Sequence, residues 1–236
     1  MGLHQHVGQV LLHGLAEAAQ RSEQLGWIEP LVSKNDDQSI AQSVLDSPQC
    51  LRWGLNGEID AAQAMIYNEY AQMLESLNPA TGKRVTADDL SVIDWNDEGT
   101  AMLQDALWAD GARLGDADYA DITTRFVAAS LEGWMYCRDN SADCVEIVLN
   151  NGSSLGASHQ AWQMNEINGL IWPSPDGAGV MDDGLWAQTI DVATSQGILS
   201  SAPDSGAFTT EYAEAAVEML KSRGVDTTGK NWRRVD

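Results

Sequence analysis

Up to residue 112, short apolar runs alternate with stretches whose apolar residues recur at helical spacing. Val7, Val10/Leu11, Gly14/Leu15 and Ala18 fall on one face of a helix predicted over Val7–Ala19. Trp27–Val32 reads as a strand, with Pro30 pointing to an edge or irregular position. Asp36 or Asp37 can cap a helix through Ile40, Ala41, Val44 and Leu45. A glycine turn at Gly57 leads into a strand ending near Met65, and Leu90–Trp95 and Met102–Ala109 read as further strands. Strands and helices in alternation predict an α/β lobe over residues 1–112 with a mostly parallel sheet.

From Asp118 onward the pattern is helical. Asp118 can cap a helix over Tyr119–Arg138 whose apolar stripe holds Ile122, Phe126, Ala129 and Gly133. Ser141 precedes Val145, Val148 and Leu149, and Ser158 precedes Trp162, Ile167, Leu170 and Ile171, with Pro173 ending that element. Asp182 or Asp183 opens Leu185–Gln196, closed by Gly197; Thr209 or Thr210 opens Glu211–Arg223, closed by Gly224. Residues 113–236 offer these apolar faces no strand to cover. Either the helices pack on the first lobe and on each other, or their natural sheet lies outside this chain.

Composition narrows the function classes. A formal charge of −22 and a pI near 4.2 oppose binding to nucleic-acid backbones and anionic lipid surfaces. No apolar run reaches the roughly 20 residues that a membrane helix needs. The opening Met1–His6 has neither a basic nor an apolar signal-peptide region. Cys50, Cys137 and Cys144 suggest no paired framework, and Cys137 and Cys144, two helical turns apart on one predicted face, read as core thiols.

Three segments resemble one family. Gly57–Tyr70 (GEIDAAQAMIYNEY) is similar to a GxxDAA segment followed by Asn-Glu; Phe126–Asn140 resembles an F-x-x-A…G-W-x-Y…N helix; Gly179–Trp186 with Gly197-Ile198 resembles a G-x-M-D…W…G-x-I stretch. Order and spacing resemble those of solute-binding proteins of ABC importers related to thiamine-pyrimidine-precursor, nitrate and sulfonate binders. The resemblance implies a type II periplasmic-binding fold, in which two lobes close on a small ligand. It further implies that Met1–Gly8 aligns with a segment that follows a first lobe. On that reading the chain holds one three-layer α/β lobe plus C-terminal helices that cover the other lobe. The same resemblance implies a periplasmic location, an ABC permease as partner and no cofactor.

In an open α/β sheet, ligands bind beyond the carboxyl ends of strands. Three such ends are predicted: His4-Gln5-His6, the turn around Asn35, and Tyr67-Asn68-Glu69. The last is favoured, because a ring to stack on, an amide and a carboxylate together suit an aminopyrimidine or similar nitrogen heterocycle. A solvated polar helix cap would use the same residue types. Trp95, after the LSVIDW strand, is placed as a second stacking wall, against the commoner fate of a core tryptophan.

His4 and His6 share a face on an extended backbone, but no third ligand accompanies them, so no metal site is expected. Gly82-Lys83-Arg84 lacks the rest of a phosphate loop. Pyrimidine synthases on the same fold, by resemblance, carry a cysteine-rich iron motif that this chain lacks. A binding protein is therefore favoured over an enzyme of pyrimidine biosynthesis or a fragment without binding activity. Helices with uncovered apolar faces are expected to self-associate, most simply as a two-fold dimer.

Overall fold

A computed structural model describes residues 7–12, 55–56, 61–152, 154 and 156–235. It combines helices and strands in two compact units, one within His6–Ala101 and one running on from Met102. The expectations for Trp27–Val32, for the helix after Asp36 and for Cys50 lie outside the described residues.

The first unit holds a three-stranded sheet in the order β2-β1-β3, formed by β1 (Val7–Leu12), β2 (Ala61–Met65) and β3 (Leu90–Asp94). Both neighbours run antiparallel to the central strand, with Val7 opposite Met65 and Gly8 opposite Asp94. Two expectations are corrected here. Val7–Leu12 is a strand, not the start of a helix, because a short apolar run fits either period and two flanking ladders decide it. The sheet is antiparallel rather than mostly parallel, since side-chain alternation carries no information about strand direction. The strands expected after Gly57 and at Leu90 are present.

Period-two alternation buries Ala62 and Ala64 of β2. Ala64 joins Met73 of the short helix α1 (Glu69–Glu75), Val85 and Leu90 in one core cluster, with Leu55, Tyr70 and Leu74 packed around it. Met102–Ala109, expected as a strand, has no regular structure. The Leu103 N–H donates to the Thr189 hydroxyl (2.9 Å), and Trp108 is 89% exposed, so a strand there has no sheet to pack on.

The second unit is helical: α2 (Ala117–Asp139), α3 (Ser141–Asn150), α4 (Ala157–Ile171), α5 (Asp183–Ser195) and α6 (Glu211–Ser222). Its described residues contain no strand. The cap of α2 is Asp116 rather than Asp118; its carboxylate accepts the N–H groups of Asp118 and Tyr119 (2.9 and 3.1 Å). Asp182 caps α5 through the Leu185 N–H. Gly197 and Gly224 follow α5 and α6 with positive φ, which ends a helix at little steric cost.

The core of this unit lies between α2 and α6. Val127, Ala128, Leu131 and Met135 of α2 meet Ala213, Ala216, Val217 and Leu220 of α6, together with Ile171, Trp172 and Ala178. A second face of α2 stays in water, with Ile122 53% and Phe126 60% exposed. That outward face holds the whole apolar stripe read from the sequence, Ile122, Phe126, Ala129 and Gly133.

Arg138, buried at the end of α2, fastens the C-terminal segment to this core. Its guanidinium donates twice to the Asp139 carboxylate (2.7 and 2.9 Å) and once to the Asp226 carbonyl (2.9 Å), and it lies 4.7 Å from the Trp172 ring centre. The Trp172 indole N–H in turn donates to Asn168 Oδ1 (3.1 Å). Gly229 closes the arrangement: at φ +57 a Cβ would stand 2.6 Å from Trp172 Cε3, so only glycine fits. Glu166, buried on α4, pairs with Arg234.

Cys137 and Cys144 form a disulfide, which corrects the expectation of core thiols. In one continuous helix, Cα atoms seven residues apart would be about 10.5 Å apart, too far for a bridge. Here α2 ends at Asn140 (φ −135, ψ 54) and the chain turns into α3, which brings the two Cα atoms to 5.4 Å. Chain-entropy arguments for so short a loop give about 2.5 kcal/mol of stabilisation. The Cys137→Ser/Cys144→Ser variant is therefore expected to unfold in urea with its stability lowered by about that amount. A midpoint that does not move would show that the corner between α2 and α3 holds without the bond.

Candidate functional site

β2 and β3 both run antiparallel to β1, so they are parallel to each other across it. Their carboxyl ends therefore emerge at one edge of the sheet, where Met65 faces Val7 and Asp94 faces Gly8. This edge brings Tyr67-Asn68-Glu69 and Trp95 to the same side of the first unit. The two strand ends are separated by two strand spacings, about 10 Å. His4, Gln5 and His6, which precede β1 in sequence, lie outside the described residues, as does Asn35.

Local hydrogen bonds build the β2–α1 corner. The Asn68 N–H donates to the Met65 carbonyl (3.1 Å), closing a tight turn, and the Gln72 N–H donates to the Asn68 carbonyl (3.1 Å) to start α1. Glu69 folds back over that turn. Its Oε2 accepts the Met65 N–H and its Oε1 accepts the Asn68 Nδ2–H, both at 2.9 Å. Asn68 Oδ1 accepts from Gln72 Nε2 at 2.9 Å. Gln72, Asn68 and Glu69 thus form one chain of side-chain hydrogen bonds. Gln72 was not among the residues expected from sequence, although its position four residues after Asn68 on a helix is the signal that finds it.

Each Glu69 oxygen holds one donor and keeps acceptor capacity for another, since a carboxylate accepts about four hydrogen bonds. Tyr67, Asn68 and Glu69 are all half-buried, as pre-formed ligand contacts are. Trp95 is half-buried in the turn after β3. That turn is held by the Asp94 carboxylate, which accepts the backbone N–H of Asn96 (2.8 Å) and its side-chain amide (3.1 Å). The Thr100 N–H donates to the Trp95 carbonyl (2.8 Å), so the backbone bearing the indole is fixed on both sides.

The corner offers acceptors, an amide and aromatic rings. Among the described residues no group of three or more His, Cys, Asp or Glu is placed to hold a metal ion, and no helix is long and apolar enough to cross a membrane. No family model matches the chain, and neither a curated protein nor a solved structure matches it.

Proposed function

We propose that this chain is the ligand-binding part of an extracytoplasmic solute receptor that delivers a small nitrogen heterocycle, of the aminopyrimidine kind, to an ABC permease. The observation behind the reading is that the segments Tyr67-Asn68-Glu69 and Trp95 both follow strands whose carboxyl ends lie at the same end of the sheet. An aminopyrimidine places N–H donors in its ring plane, suited to a carboxylate with spare acceptor capacity, and exposes two π faces to flanking aromatic rings. The disulfide between Cys137 and Cys144 favours an oxidising compartment such as the periplasm. The three family-like segments supply the link to an importer, and with it the two-lobe binding fold.

The test is calorimetric titration with aminopyrimidines, using the parent chain and Glu69→Ala. Loss of a charged acceptor is expected to weaken binding by about 1.5–3 kcal/mol, roughly ten- to a hundredfold. Glu69→Gln keeps an oxygen for the Met65 N–H, so it separates loss of charge from loss of the turn. Equal affinity in all three proteins would place the ligand elsewhere, and no heat with any aminopyrimidine would overturn the ligand class.

A further inference from the structure

The outward face of α2 carries Ile122, Phe126, Ala129, Gly133 and Tyr136, all exposed. Their spacing of four, three, four and three residues is the a/d seam of a coiled coil. Gly133 sits inside a 23-residue helix, where glycine is the poorest residue after proline. A Cβ added there would meet nothing within 4 Å, so nothing among the described residues requires a glycine. A glycine there permits the close approach of another backbone or a large side chain from outside.

We propose that this face is the two-fold interface of a dimer, in which α2 packs antiparallel against α2 of a second copy of the chain. The order of side-chain sizes selects the partner. Phe126, Ala129, Gly133 and Tyr136 read aromatic, small, small, aromatic, with spacings of three, four and three, the same in both directions. Running two copies antiparallel puts Phe126 opposite the partner's Tyr136 and Ala129 opposite the partner's Gly133. The small pair lets the helices approach closely at the axis, and the aromatic pairs close both ends. Such a self-complementary surface is what an isologous contact needs.

The flanking charges agree with this register. Arg125, paired with Asp121 of its own chain, and Asp139, held by its own Arg138, lie on the same edge of the seam, 60% exposed in each side chain, and the antiparallel pairing sets Arg125 beside the partner's Asp139. Glu132 falls at the axis next to the partner's Glu132. Each of these carboxylates is already held by Arg223 of its own chain (2.5 and 2.9 Å), which removes the repulsion. A parallel pair would leave Arg125 facing Ser130, with no charge to meet.

Area sets the strength. Ile122, Phe126 and Tyr136 are 53%, 60% and 47% exposed. An aromatic side chain presents about 150–250 Å² in full, so the seam and its charged flanks bury on the order of 500 Å² per copy. That falls below the roughly 800 Å² per partner of a stable complex and fits a weak, transient dimer. The inference does not depend on the ligand or on the importer.

Sedimentation of the full chain across a dilution series from about 1 to 200 µM tests it, since a small interface gives a weak dimer that dissociates on dilution. A monomer–dimer equilibrium is expected, tightening as salt screens the net charge of −22 on each copy. Phe126→Glu and Gly133→Leu are each expected to weaken it at least thirtyfold, with circular dichroism confirming an intact fold. Gly133→Ala is expected to raise the thermal midpoint of dilute monomer while weakening the dimer a few-fold. Arg223→Ala is expected to weaken it about tenfold at low salt and less at high salt, because it bares the two Glu132 carboxylates. A monomer at every concentration, or a dimer indifferent to Phe126→Glu, overturns the proposal. A dimer indifferent to Arg223→Ala overturns the antiparallel register.

Discussion

Leu220→Ala is expected to lower the unfolding free energy of the helical unit by about 3–4 kcal/mol. Leu220 is fully buried on α6 and belongs to the same cluster as Leu131, Met135 and Trp172. The lost transfer free energy of the side chain accounts for part of the effect, and the cavity left behind accounts for the rest. Collapse around that cavity is restricted. Gly177 packs so closely on Val217 that a Cβ there would lie 2.9 Å from the valine methyls, which leaves this side of α6 no slack to move inward. Chemical denaturation followed by tryptophan fluorescence measures the change, with Trp172 as a reporter inside the same cluster. A loss below about 1 kcal/mol would mean that the site collapses, and that α6 is held less firmly than its burial implies.

Arg138→Ala is expected to cost about 2–4 kcal/mol. Breaking a fully buried ion pair costs about 3–5 kcal/mol, and the figure here is reduced because the Asp139 and Asp226 side chains are 60% and 51% exposed. The mutation also removes the donor to the Asp226 carbonyl and the cation over the Trp172 ring. The Asp139 carboxylate, bonded to the guanidinium, holds the Arg138 pKa above its ordinary value, so the charge persists at any working pH. Asp226 titrates. Burial pushes its pKa up, but the N–H and hydroxyl of Thr228, the N–H of Gly229 and the charge of Arg138 outweigh burial and leave it below the ordinary carboxylate value. A carboxyl group depressed on folding stabilises above its unfolded pKa, near 3.9, and that stability is lost as pH falls through the folded value. The difference between parent and variant is therefore expected to shrink in acid. Urea titrations at pH 7 and in acid measure both effects; a constant difference would assign the loss to packing against Trp172 alone.

Local features were legible in the sequence. The helices after residue 116, the glycines that end α5 and α6, and the strands at Ala61–Met65 and Leu90–Asp94 all follow from spacing, capping and backbone conformation within a few residues. The position of Tyr67-Asn68-Glu69 just after a strand was legible for the same reason, while the hydrogen bonds that build the corner came from the structure. The uncovered stripe on α2 was legible as a stripe, because a second apolar face on one helix leaves its mark in the residue spacing.

Only the tertiary structure decided the rest. Val7–Leu12 carries too few residues to separate a period of 3.6 from a period of 2, and its pairing with strands far along the chain fixed the outcome. Strand direction left no trace in alternation, so the antiparallel sheet, and with it the placing of the carboxyl ends of β2 and β3 at one end, had to come from the ladder. Spacing alone placed Cys137 and Cys144 two turns apart on one helix; the break at Asn140 put them within bonding distance. Arg138 looked like an ordinary basic residue at a helix end. It became the fastening of the C-terminal segment because Asp226, Trp172 and Gly229 converge on it from segments of the chain that no local pattern relates.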